Sequence, residues 1–307
     1  QITYTQFLNL IYVIALPVVS MLVYVSFFTI GIQDVFKSTG SNFATSGGFG
    51  PNQVSTILGL AAFCFFCLLL LKQSTFLEKG VYFALFVFAS YRGLITFSRG
   101  GMITAAVMII IFIAILYFYT KKAARIKILI FSFTSLIGFF VFWAITVAAT
   151  DGLIAKRYNN QDALGREKKL ALSGRETIME AEWRMFLDNP IFGVGVGRNK
   201  ELRLEDIGLE IANHNEITRL LAEHGSLGII YLLILIAIPL GLWVNNKQHL
   251  LLLSFFMFWA LTINHAAMRL AAPSFIYSLC LLKISYNLSN NRNEENSLHR
   301  ESITESK

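Results

Sequence analysis

An all-α polytopic membrane protein is the fold class this sequence predicts, and three observations carry the expectation. Hydrophobic residues make up 55% of the 307-residue chain and charged residues only 15%, against about 25% charged in soluble domains. Phenylalanine alone occurs 27 times. Several apolar runs reach the roughly 20 residues needed to cross a bilayer. Together they exclude a soluble domain. The net charge of +7 reads as basic loops that orient the chain in lipid, not as a nucleic-acid footprint.

Eight spans follow in order, at about residues 7–30, 53–71, 81–97, 102–119, 128–149, 227–244, 250–263 and 274–288. The first five occupy 1–149. The short links with Lys72 and Lys79, with Lys121, Lys122, Arg125 and Lys127, and with Lys247 all fall on one side, which the positive-inside rule makes cytoplasmic. Residues 150–223 form one large loop on the opposite, periplasmic side. Its own Lys and Arg do not upset the assignment, because long loops translocate largely regardless of charge. The last three spans occupy 224–288, and 289–307 is a charged tail without apolar periodicity, expected to be disordered. Cys64, Cys67 and Cys280 all sit in apolar runs, which favours buried thiols over disulfides or metal ligands. The chain opens on Gln1, so it is expected to be the C-terminal part of a longer protein.

Function is expected in the large loop, where aqueous chain is concentrated. "SGRE", residues 173–176, has the form of a capping box, and Met179, Trp183 and Phe186 follow as an apolar stripe. Asn189-Pro190 ends that helix. Arg175 falls in its first turn, where free N–H groups favour an anion and disfavour a cation. A bound negative group accounts for it; a solvated arginine is the alternative. "GVGVGR" lacks the dinucleotide spacing and reads by default as a flexible turn, from which Arg198 could still reach an anion.

In "HNEITRLLAEHGSLG", Asn215 or Asn213 caps a helix with Glu216, Arg219 and Glu223 on one polar face at i,i+3 and i,i+4 spacing. That face reads as structural. Gly225 and Gly228 leave a bare strip for another helix. His214 precedes the helix at the water–lipid boundary, where a solvated loop residue is the bland reading. "SYRGLITFSRGG" adds Arg92 and Arg99, two helical turns apart. Arg92 lies inside an apolar run, which is costly and marks a site or pathway; Arg99 emerges at the surface with Gly100-Gly101 making the reversal. Arg99, Arg175 and Arg198 gathered on one face would suit a pyrophosphate, which guanidiniums grip bidentately. A histidine beside them can take a proton from an attacking hydroxyl near neutral pH. No paired acids at metal-binding spacing occur, so arginine would neutralise the leaving group, with no cofactor.

These segments together resemble the O-antigen ligase and O-antigen polymerase superfamily of bacterial surface-glycan assembly. His214-Asn215, nine residues, then Gly225 and Gly228 is similar to the ligases' His-Asn and G-x-x-G signature. "FSRGG" resembles their Ser-Arg-Gly reversal, "SGRETIMEAEWRMFLDNPIFGVGVG" their Gly-Arg helix and glycine-rich turn, and "GGFGPNQVS" is a weaker echo. The resemblance covers about 47–240. It implies an enzyme of the bacterial inner membrane, active on its periplasmic face. Such an enzyme moves a glycan from undecaprenyl pyrophosphate to an acceptor hydroxyl, on lipid A core or another glycan. On that reading Arg99 and Arg175 bind the pyrophosphate, Arg198, Arg92 and Asn215 support the substrate, and His214 is the base of an inverting, metal-independent displacement. A polymerase of the same superfamily, a transporter of an anionic lipid-linked substrate and a non-catalytic scaffold are the alternatives.

Overall fold

The computed structural model describes residues 1–29, 39–41, 43–167, 175–208, 215–245, 249–265 and 270–285. It is an all-α bundle built around one helix. That helix, α2 (Pro51–Leu71), is apolar on every side and buried along most of its length, as expected of a helix hydrophobic all round. Around it stand α1 (Tyr4–Phe28), α3 (Phe76–Ile95) and α4 (Arg99–Tyr119). Small residues allow the closest crossing. A Cβ on Gly59 would lie 2.5 Å from the Gly101 carbonyl oxygen, and one on Gly101 would collide with the backbone of Ser55. Transmembrane helices approach in this way where side chains are absent.

Phenylalanines contribute edge-on contacts to the core. Phe63 meets Phe112 at 6.2 Å and Phe255 at 6.1 Å edge-on, and Phe66 meets Phe112 at 6.3 Å, the geometry that the ring quadrupole prefers. Helix α5 (Lys122–Ala149) runs along the outside with Phe133, Phe139 and Phe140 exposed, a surface suited to lipid. All three cysteines are buried and free.

Helix α6 (Leu153–Tyr158) opens the large loop, followed by α7 (Arg175–Asp188), α8 (Arg198–Ile207) and α9 (Glu216–His224). The chain then continues into α10 (Ser226–Asn245), α11 (Leu252–Thr262) and α12 (Ala272–Cys280). Among the described residues, five helices are long and apolar enough to cross a membrane: α1, α2 with the turn before it, α4, α5 and α10. Helix α3 matches a sixth expected span but carries Glu78, Lys79 and Arg92 within its 20 residues.

The last two expected spans are shorter than the sequence suggests. Helix α11 has 11 residues, about 16 Å, and α12 has nine, about 14 Å; neither alone crosses a ~30 Å core. Helix α11 gives way to the turn 263–265, where Asn264 and His265 donate to the carbonyls three residues back, Leu261 and Thr262. A short parallel pair, β1 (Ile2–Thr3) with β2 (Ile284–Ser285), joins the start of α1 to the segment after α12.

Helix α10 contains Pro239, which has no N–H to give to the carbonyl four residues back. That carbonyl belongs to Leu235, and the Tyr277 hydroxyl of α12 donates to it at 2.9 Å. The helix is thereby kept whole where an unpaired backbone group would be costly in lipid.

Candidate active site

Loop-end segments converge on the reversal between α3 and α4. Phe97 sits there with φ +55, a left-handed conformation that costs a non-glycine residue about 1–2 kcal/mol. Its surroundings hold it. The ring packs with Leu153 and Ile154 of α6, and Arg157 Nε donates to its carbonyl at 3.0 Å. Ser98 donates to the Asn52 side chain at 2.8 Å and accepts at its carbonyl from Ser55 at 2.9 Å. Thr45 donates to the Thr96 carbonyl. Arg99 thus starts α4 from a fixed point, and the first helix of the large loop lies directly on it. Beside it, burial pushes the Tyr158 phenol up to about 12, against the pull of Arg99 and Arg157, so it remains a hydrogen-bond donor at neutral pH.

His265 closes the other side. Its ring fills the space that a Cβ on Gly100 would need. Nδ1 lies 2.9 Å from the Leu261 carbonyl and Nε2 3.0 Å from the Thr56 hydroxyl. A carbonyl only accepts, so Nδ1 carries a proton.

Helices α7, α8 and α9 pack together as a second unit. The face of α7 that turns inward holds Ile178, Ala181, Glu182 and Met185, all buried, while Trp183 is 47% exposed. The expected stripe of Met179, Trp183 and Phe186 is therefore displaced by one position. The reason is that the inward face carries a carboxylate, which a reading of apolar periodicity discounts. Glu182, fully buried, accepts from Thr218 of α9 at 2.6 Å and from Asn199 of α8 at 3.3 Å, and Arg203 stands 3.5 Å away. Next to it, Arg219 donates to Glu216 through Nε and Nη2 and to Glu223 through Nη1 at 2.9 Å. The Glu216 hydrogen bond, followed by the charges of Glu216, Glu223 and Glu182, raises the Arg219 guanidinium further above its ordinary value against the cost of its burial.

The glycine-rich turn is anchored. Val194 and Gly195 donate to the carbonyls of Ala222 and Glu223 at 2.8 and 3.1 Å. Gly197, which caps α8, donates to the Glu223 carboxylate at 3.0 Å. The anion that this helix end receives comes from the chain itself. Gly225 presses on the backbone of Ile191 and Gly193, and Gly228 on that of Leu220. The strip expected to receive another helix thus holds this turn and the end of α9.

Of the residues singled out in the sequence, Asn215 caps α9 by accepting from Ile217 at 2.9 Å and Thr218 at 3.3 Å, and its amide lies 3.7 Å from Met179 Sδ. Arg175 is the first residue of α7, one turn before Met179. Arg198 is exposed at the start of α8. Arg92 is buried and donates to the Val25 carbonyl at 2.6 Å and to Thr29 at 2.5 Å, tying α3 to α1 inside the bundle. His214 and Ser173 lie outside the described residues. The two units meet through the turn after α11: the Glu216 N–H donates to the Ile263 carbonyl at 2.9 Å, two residues before His265. Arg157, Tyr158, Glu182 and His265 were missed by sequence reasoning. Their common signal is contact with a distant segment, which no local pattern carries.

A cavity of about 710 Å³ opens between α9, α10, α11 and α12, with Glu216, Arg219 and His224 at its polar end and Tyr231, Trp259 and Tyr277 below.

Residues 83–233, from α3 through the large loop into α10, match the family model described as O-Antigen ligase. This segment, just under half of the chain, is a domain of the O-antigen ligase superfamily. No curated protein and no solved structure matches it. Members of the O-antigen ligase superfamily are glycosyltransferase-like membrane enzymes that act on lipid-linked glycans. The matched segment contains Arg99, Arg175, Arg198, His214 and Asn215.

Proposed function

We propose that this O-antigen ligase superfamily member transfers a glycan from undecaprenyl pyrophosphate to an acceptor hydroxyl, on lipid A core, at the periplasmic face of the bacterial inner membrane. The acceptor oxygen attacks the anomeric carbon while the bond from that carbon to the pyrophosphate oxygen breaks. The departing diphosphate keeps the electron pair, and configuration inverts. His214 takes the hydroxyl proton. Arg99 and Arg175 carry the diphosphate charge in place of a metal ion, with Arg198 at its edge. In this reading Asn215 sets the start of α9 and hence the position of His214. Arg92 acts from below, by holding α3 against α1.

One observation supports the reading above the others. The capping residue next to His214 touches Met179, one turn from Arg175 on the same helix. The same helix start is tied through Ile263 to the turn whose His265 packs on Gly100, next to Arg99. Three segments far apart in sequence are thus held in register at one end of the bundle.

Deletion in the native host followed by a glycolipid gel tests it. A ligase is expected to leave lipid A core without polymer while lipid-linked polymer accumulates. Core capped with single repeats would instead assign a polymerase, and an unchanged gel would remove both.

A further inference from the structure

We propose that the cavity between α9, α10, α11 and α12 is a subsite for a neutral, hydroxyl-rich sugar ring, and that it excludes the diphosphate. The inference rests on the glycan-transfer reading and divides that substrate between two places.

Charge decides what the cavity can take. The Arg219 guanidinium at its polar end is already shared between Glu216 and Glu223. Behind it lie Glu182 and Arg203, so among the described residues these ion pairs set three carboxylates against two guanidiniums. A diphosphate placed here would meet carboxylates at short range in a medium that screens poorly. A sugar hydroxyl meets no such repulsion, because it both donates and accepts. Glu216 Oε1 takes both hydrogen bonds from Arg219, and Glu216 lines the cavity.

Shape and lining agree with a ring. The volume of about 710 Å³ falls within the ~300–1,000 Å³ of small-molecule sites. Trp259 and Tyr277 lie with centroids 5.0 Å apart on one wall, and Tyr231 stands on the opposite helix. Aromatic faces suit the C–H faces of a pyranose, and carboxylates suit its hydroxyls. A lipid chain would use the aromatic walls but would have no need of Glu216, Arg219 and His224. Glu216, on the cavity wall, is two residues after His214 in the sequence. The diphosphate is left to Arg99 and its neighbours.

The test uses the full chain in lipid nanodiscs and a panel of methyl glycosides (gluco, galacto, manno and N-acetylglucosamine), read by saturation-transfer NMR. Ring protons of at least one glycoside are expected to be saturated. An equal concentration of inorganic pyrophosphate should not reduce the signal. Glu216→Gln and Trp259→Leu should weaken binding about fivefold, the scale of one aromatic or hydrogen-bond contact. Trp259 is buried and its loss could disturb folding, so Tyr231→Ala, at a residue 52% exposed, is the second variant and should weaken binding similarly. Absence of saturation on folded protein, undiminished binding in Tyr231→Ala and Glu216→Gln, or displacement by pyrophosphate would each overturn the assignment. Displacement by a doxyl-labelled acyl chain would overturn it in favour of a lipid groove. Glycan transfer measured on the same samples separates the two readings. Transfer without glycoside binding removes this subsite alone, and binding without transfer removes the proposed function alone.

Discussion

The Thr218 hydroxyl donates to the buried Glu182 carboxylate at 2.6 Å, and this bond sets helix α9 against helix α7. One helix begins at Arg175 and the other directly after His214 and Asn215. Loss of the bond is therefore expected to disturb both proposed functional positions at once. Thr218→Val should cost about 1.5–3 kcal/mol, the range for a hydrogen bond to a charged group. Glu182→Ala should cost more, about 3–5 kcal/mol, because Arg203 is left buried without its counter-charge. Thermal unfolding of both variants and of the double variant checks this. Additive losses would mean that the two residues do not act on each other.

His214→Ala is expected to abolish glycan transfer while membrane levels stay normal. Immunoblotting and a glycolipid gel on the same cells read both quantities. Surface glycan at the parental level would remove His214 from the proposed mechanism.

Arg175→Lys is expected to be nearly as damaging as Arg175→Ala. Lysine keeps the charge but loses the planar fork that binds two phosphate oxygens together. Transfer rates for the two variants decide it, and full activity of the lysine variant would reduce the residue to a point charge.

Phe97 offers an inversion of the usual order of substitutions. Phe97→Ala should lose about 3–5 kcal/mol from the buried ring and keep the left-handed strain. Phe97→Gly loses the same ring but relieves the strain, so it should be more stable than the alanine variant by about 1 kcal/mol. Chemical denaturation of both in matched nanodiscs tests it; the opposite order would show that the backbone leaves this conformation once the ring is gone.

Tyr277→Phe should destabilise α10 by exposing the Leu235 carbonyl, and Pro239→Ala should restore a partner for it. The double variant is expected to recover most of the loss, by about 1 kcal/mol. Hydrogen exchange along α10 reports it directly, and no recovery would mean that the tyrosine acts by packing alone.

How much of this was legible in the sequence depends on the range of each interaction. Apolar runs announce α1, α2, α4, α5 and α10, because lipid around the outer helices and the bundle core around α2 both select apolar residues. The shortening of α11 was not legible, since what stops it is a turn held by His265 on Thr56, 209 positions away. Arg99 was legible at its reversal, whereas the clamp on that reversal comes from Arg157 across 60 positions. Glu216, Arg219 and Glu223 were legible as one polar face from their spacing. Glu182 was hidden because an acidic residue on an otherwise apolar face reads as solvent-exposed until its partners, Thr218, Asn199 and Arg203, are seen around it.

The carboxylate of Glu223 at the start of α8 has a consequence for how the loop meets ions. A tethered group held beside its binding place acts at an effective concentration of millimolar order or higher. Free phosphate or sulfate in the surrounding water must compete with that occupant on every encounter. The glycine-rich turn is in this respect a socket with its plug inserted, and buffer anions should leave its conformation alone.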